Sequence, residues 1–150
     1  MSYDALPVDQ TKEKPASSFT LDMQKKVLRS LPFDDQRSFE NASKGFIATL
    51  DPLTIKRSDG SPVLDLSNFD FLNNEAPPTV NPSLWRQAQL TAQHTGLFEV
   101  VEGIYQVRAF DIANMTLIQG ETGWIVVDPL TSSESSRAAL ELANKKIGHR

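Results

Sequence analysis

Apolar residues recur at helical spacing along the first third of the chain and at strand spacing near its end. Phe19, Met23, Val27 and Leu31 follow one another four residues apart, Leu28 widens the stripe, and Pro32 closes the segment. A second helix is expected after Asp34 or Asp35, either of which suits the N-cap, with Phe39, Ala42, Phe46 and Ile47 along one side. Two short helices of this kind predict a hairpin whose apolar stripes need a partner, in the core or on another subunit. Residues 51–82 hold five prolines and the turn pair Asp59-Gly60. Ile55 before that turn and Val63, Leu64 and Leu66 after it predict a short β-hairpin. Pro77-Pro78 enforces an extended connector. Asn81-Pro82 reads as an N-cap with proline at the first helical position, where a missing N–H costs nothing. That helix runs through SLWRQAQLTAQHT, is anchored by Trp85, and should be capped by Gly96.

The period then changes. LFEVV, GIYQVRAF, MTLIQG and GWIVVD are short runs rich in β-branched and aromatic residues, separated by Glu102-Gly103, Asp111 to Asn114, and Gly120 to Gly123. They predict an antiparallel meander. The last run is apolar on both faces at Trp124, Ile125, Val126 and Val127, the pattern of a strand inside a layered α/β sheet. After Asp128-Pro129, Thr131 and Glu134 have capping-box spacing, and Leu140, Ala143 and Ile147 mark the buried stripe of a following helix. Glu141 and Lys145 can pair one turn apart, and Lys145, Lys146 and Gly148 suit the helix end. A buried strand and its crossover helix normally return as a parallel neighbour. The expectation is therefore the front portion of a larger α/β domain, with the return strand beyond residue 150.

Composition narrows the chemistry. Fifteen Lys and Arg against 19 Asp and Glu give a net charge of −4, which argues against a nucleic-acid or anionic-membrane surface. Lys25-Lys26 and Lys145-Lys146 read as solvated helix faces. The absence of cysteine excludes disulfides and thiolate metal sites. His94 and His149 are the only imidazoles, whereas catalytic zinc takes about three protein ligands. His94 reads as a complement to a helix C-terminal dipole rather than a ligand. MSYDALPVDQTKEKPASS is polar and lacks the apolar core of ~7–15 residues of a secretory signal. No stretch approaches the ~18 apolar residues of a membrane span. A soluble cytoplasmic protein is expected.

At NPSLWRQAQL (81–90), GIYQVRAFDIANMTLI (103–118) and GWIVVDPLTS (123–132) the sequence resembles the alkyl sulfatases of the metallo-β-lactamase superfamily, which hydrolyse alkyl sulfate esters such as dodecyl sulfate. FENASKGFIATL (39–50) and DGSPVLDLSNFDFL (59–72) extend the resemblance, which runs from about Phe19 to the end. It implies an αββα sandwich, an intertwined helical region that makes a homodimer, and a lipid-carrier-like C-terminal domain. It also implies a pair of zinc ions that activate a bridging water. The family's ligand motif T-H-x-H-x-D-H falls after the return strand, so neither catalytic residues nor metal ligands are expected within these 150 residues.

The expected organisation is a flexible arm over 1–18, a helical extension with a Pro-rich connector over 19–96, and the first part of the metallo-β-lactamase-like domain over 97–150. The resemblance places Asp128 near the metal-binding loops, as an orienter of a ligand loop or as a turn cap before Pro129. It places Asn114 and Met115 toward the substrate, against the alternatives of a turn residue and ordinary core. Phe110 and Leu117 stand between an alkyl-chain channel and core packing in the same way. The functional expectation is the N-terminal portion of a zinc-dependent alkyl sulfatase, inactive in isolation. A non-catalytic interaction remnant is the alternative, and another hydrolase of the superfamily a weaker one.

Overall fold

The computed structural model describes residues 14–149, so most of the arm expected over 1–18 lies outside the described residues. Ser17 opens helix α1 (Ser18–Ser30) by accepting a hydrogen bond from the Thr20 N–H at 3.2 Å. Helix α2 covers only Arg37–Ser43; Gln36 holds the cap position, and Asp35 accepts from the Arg37 N–H at 2.9 Å. Phe46 and Ile47, expected on this helix, belong instead to strand β1 (Phe46–Ala48). The physical reason is Gly45, whose φ of 73° breaks the helical path and turns the chain onto a sheet edge.

Strands β2 (Thr54–Lys56) and β3 (Pro62–Asp65) form the antiparallel hairpin expected around Asp59-Gly60, and a 3-10 helix follows over Leu66–Asn73. Helix α3 (Pro82–Gln93) begins as the sequence predicts, with Asn81 accepting from the Ser83 N–H at 2.8 Å and Pro82 behind it. Its side chains grip the preceding segment. Trp85 Nε1 donates to the Asn74 carbonyl at 3.2 Å, and Gln89 Nε2 donates to the Leu72 carbonyl at 2.8 Å. Arg86 donates to the Asp35 carbonyl and lies 4.8 Å from the Phe39 ring centre. Helices α1 and α2 thus both pack on α3. The stripe of α1 is less covered than its pattern suggests, and none of its residues is fully buried.

The meander is present as expected: β4 (Gly96–Val101), β5 (Ile104–Arg108), β6 (Met115–Gln119) and β7 (Trp124–Val127), all antiparallel. With β1 paired to β4, the sheet order is β1-β4-β5-β6-β7. The 39–50 segment therefore shares a sheet with residues beyond 96. Gly96 does not cap α3; His94 does, and Gly96 starts β4 at a φ of 140°. A Cβ on Gly96 would sit 2.3 Å from the Ala48 carbonyl oxygen, and one on Gly45 would sit 1.9 Å from that of Glu99. The β1–β4 pairing requires both glycines.

Register assigns the two sheet faces. Leu97, Val107 and Met115 pair in a row across β4, β5 and β6, and Tyr105, Leu117 and Val126 in another. Helix α4 (Ser133–Ile147) covers this face with Ala139, Leu142 and Ala143, and Ile55 of the hairpin joins the same core. Trp124 Nε1 donates to Asn144 Oδ1 at 3.1 Å, tying β7 to the helix. The stripe is displaced from the one expected: Leu140 and Ile147 are half-buried, while Ser135, Ala139, Leu142 and Ala143 face inward. Gly148 caps the end, its N–H donating to the Asn144 carbonyl at 3.1 Å.

The opposite face is largely open. Phe98 is fully buried there, between the Phe46 ring, 5.4 Å away centre to centre, and the Arg108 guanidinium at 4.3 Å. Farther along, Ile125 is 57% and Val127 51% exposed. Strand β7 was expected to be interior. Among the described residues it is an outer strand, and its second apolar face meets solvent.

The close approach makes a sharp prediction. Gly45→Ala and Gly96→Ala should each lower unfolding free energy by roughly 1–3 kcal/mol, through overlap and a left-handed backbone. Gly60→Ala meets nothing within 4 Å and should cost only about 1 kcal/mol. Urea denaturation of the three variants measures this, and equal losses at all three positions would contradict the β1–β4 contact.

Candidate functional site

The loops after β5 and β7 lie at the same end of the sheet, because two antiparallel steps return the chain to its first direction. Non-glycine residues take left-handed backbone conformations in both: Ala109 at φ 59°, Asp128 at φ 58° and Leu130 at φ 70°. For Leu130 such a conformation costs on the order of 1–2 kcal/mol and persists only when its surroundings enforce it.

The enforcing group is Asp111. One carboxylate oxygen accepts from the Ile112 N–H at 2.6 Å. The other accepts from the Thr131 N–H at 2.7 Å and from the Thr131 hydroxyl. The loop after β5 thereby holds the loop after β7. Asp128 adds a local turn, its Oδ1 accepting from the Leu130 N–H at 3.1 Å. Ser136 donates to the Pro129 carbonyl from the first turn of α4. The Thr131–Glu134 capping box does not form, since Asp111 occupies Thr131. Ser132 caps α4 instead, accepting from the Ser135 N–H at 3.1 Å.

Asp111 is held below its usual carboxylate range chiefly by the Thr131 hydroxyl hydrogen bond, which outweighs the opposing effect of burial, with the Thr131 and Ile112 N–H groups adding smaller contributions. Sequence reasoning passed over it as a turn residue. Its signal was present as an acidic residue in one β-loop with a Thr-Ser pair at the start of a helix, but only the fold shows that the two meet.

Between these loops and the hairpin lies a cavity of about 530 Å³. Leu64, Leu66, Phe69 and Leu72 form one side, Ala88 and Ala92 of α3 another, and Phe110 part of the core side. Asp111, Ile112, Thr131, Ser132 and Ser135 rim it. Ile112, at the loop tip, is 97% exposed.

The residues singled out from the sequence divide accordingly. Asp128 is exposed at the end of β7 and makes the turn contact described. Asn114 is exposed just before β6. Met115 and Leu117 are fully buried beneath α4 and do not line the cavity. Phe110 is nearly fully buried and does line it.

For metal chemistry the donors do not suffice. Among the described residues no group of three or more His, Cys, Asp or Glu side chains could hold a metal ion. His94 ends α3 with its ring 6.4 Å from that of Phe39, and its Nε2 is enclosed without a hydrogen-bond partner. His149 lies past the end of α4. The residues present do not fit a zinc centre by themselves. Also among the described residues, no helix is long and apolar enough to cross a membrane.

The molecule is an α/β unit built on an antiparallel sheet, and this is the architecture of part of an alkylsulfatase. It overlays the stereoselective inverting sec-alkylsulfatase Pisa1 from Pseudomonas sp. with a TM-score of 0.80 and 48% identity, over 88% of this chain and 21% of that one. A linear primary-alkylsulfatase from Pseudomonas sp. is 48% identical over 134 residues, 88% of this chain and 20% of the relative. An (R)-specific secondary-alkylsulfatase from Pseudomonas sp. is 46% identical over 143 residues, 95% and 21% of the respective chains. The alkyl/aryl-sulfatase BDS1 of Saccharomyces cerevisiae is 44% identical over 134 residues, 89% and 21%. No protein-family model matches the sequence. The chain matches a fragment of an alkyl sulfatase and spans about a fifth of the length of these relatives.

The Asp111 contacts give a pH dependence. A folded pKa held below the unfolded value of about 3.9 contributes stability that is complete above that value and is lost as pH falls through the folded one. Asp35, lowered to about 2 by its hydrogen bond to the Arg37 side chain, titrates equally with and without Asp111 and cancels in a difference. The stability gap between the parent chain and Asp111→Asn should therefore stay level from about pH 7 to pH 5 and shrink below about pH 4. Urea midpoints measured across that range test it, and a gap that widens on acidification would contradict the assignment.

Proposed function

We propose that this chain is the N-terminal portion of a zinc-dependent alkyl sulfatase, which hydrolyses alkyl sulfate esters to alcohol and sulfate, and that the 150 residues alone are inactive. The observation that carries this reading is 44–48% identity to named alkylsulfatases over 88–95% of the chain. The overlay on a sec-alkylsulfatase supports it independently. Under this reading the zinc ions are held by residues outside the described ones, and Asp111 and Asp128 shape loops at the margin of the site. The open sheet face at Phe46, Ile125 and Val127 is the surface on which the second sheet of a metallo-β-lactamase sandwich packs. The exposed stripe of α1, at Phe19, Leu28 and Leu31, is consistent with a homodimer contact.

Release of sulfate from dodecyl sulfate tests both halves of the proposal. A protein of the relatives' length that carries this segment should turn over and lose activity to a chelator. The 150-residue chain should neither turn over nor bind stoichiometric zinc. Turnover by the short chain would sink the inactivity claim, and an inert long protein would sink the function.

A further inference from the structure

The open sheet face is apolar except for one polar strip, and that strip holds a cation with no carboxylate opposite it. Strand register lays the face out in rows. Phe98, Gln106, Thr116 and Val127 make one row across β4 to β7, and Ile104, Ile118 and Ile125 make another. Arg108 follows Gln106 on the same side of β5, because alternate residues of a strand share a face.

Its guanidinium is fixed in place before anything covers it. Nε donates to Gln106 Oε1 at 2.7 Å, Nη1 donates to the Ala42 carbonyl at 3.4 Å, and the group lies over the Phe98 ring. Gln106 is held in turn, its Nε2 donating to the Thr116 hydroxyl at 3.4 Å. Among the described residues Nη2 has no acceptor, and no carboxylate pairs with Arg108. Burial pushes its pKa down, with no acidic neighbour to push it back.

Two requirements meet at this face. Phe46, Ile125 and Val127 are each about half exposed, an apolar patch that favours cover. Covering Arg108, however, strips water from its remaining donors, and a buried cation is tolerated only when it is paired and hydrogen-bonded. A second copy laid face to face cannot supply the partner, since neither row beside Arg108 contains Asp or Glu. A small anion would satisfy the charge and leave the apolar side chains wet.

We propose that this face takes an apolar β-layer bearing one carboxylate, which closes on the free edge of the Arg108 guanidinium while aliphatic side chains meet Ile125 and Val127. That the layer belongs to the same protein rests on the functional reading above; the need for a carboxylate stands on Arg108 and its neighbours. The pair also fixes how the layer is seated. Apolar contact tolerates sliding, whereas the planar guanidinium accepts a carboxylate in few orientations.

The test compares Arg108 in a protein of the relatives' length with Arg108 in the 150-residue chain, by NMR of isotope-labelled guanidinium nitrogens. The long protein should show resolved, slowly rotating Nη groups, and the short chain averaged ones. The bonds to Gln106 and Ala42 are common to both, so the difference reports the covering layer. Arg108→Lys removes the signal and assigns it. Arg108→Glu should cut the yield of folded long protein on the order of tenfold. Among single Asp or Glu to Lys changes elsewhere in that protein, one should restore the yield by swapping the pair. Averaged Nη signals in the long protein, an unimpaired Arg108→Glu, or no restoring swap overturns the proposal. So does a 150-residue chain that dimerises and loses its dimer in Ile125→Lys, since the face would then take a second copy. Sulfate release from dodecyl sulfate is assayed alongside. Resolved Nη signals in a long protein that releases no sulfate would keep the ion pair and refute the sulfatase. Release with averaged signals would do the reverse.

Discussion

Helix α4 can approach the sheet as closely as it does because Ala139 and Ala143 place only methyl groups at the contact, and both are fully buried. Their position against Leu97, Val107, Met115 and Leu117 organises the rest of the molecule. It draws in the β2–β3 hairpin, whose Ile55 closes the core, and it sets where the loop from β7 must deliver the helix. Protein interiors are packed to near-crystalline density, so a larger residue at either position would push the helix outward and open the core beneath it.

The loop that delivers α4 is held from the side by Asp111. Its carboxylate joins two loops about twenty residues apart in sequence and satisfies donors that would otherwise compete for the α4 cap. In doing so it anchors Thr131 next to Leu130, whose left-handed backbone a leucine does not adopt freely.

The two sides of the sheet have different characters. One is closed by α4 and the hairpin. The other carries paired aromatic and cation–aromatic contacts around Phe98 but leaves much of β7 open. A strand apolar on both faces with only one face covered suits a segment that makes up about a fifth of the alkylsulfatases it matches.

Local pattern was enough to read α1, α3, the β2–β3 hairpin, the antiparallel meander and α4, since each depends on spacing, caps and turn residues a few positions apart. The likeness to alkyl sulfatases was legible for the same reason, in ordered short motifs. What the sequence did not reveal depends on contacts between distant segments. Phe46 and Ile47 continue a helical pattern, yet Gly45 and Gly96 let their backbone meet β4, and strand pairing outweighs weak helix propensity at a chain reversal. The Thr131–Glu134 spacing is a sound cap locally, but a carboxylate from position 111 claims Thr131 and shifts the cap by one residue. Met115 and Phe110 look alike in sequence; register puts Met115 fully under α4 and leaves Phe110 against the cavity. The residues themselves determined most of the elements, β1 excepted. The tertiary structure decided which of them meet, because hydrogen-bond partners and burial are settled by distance in space.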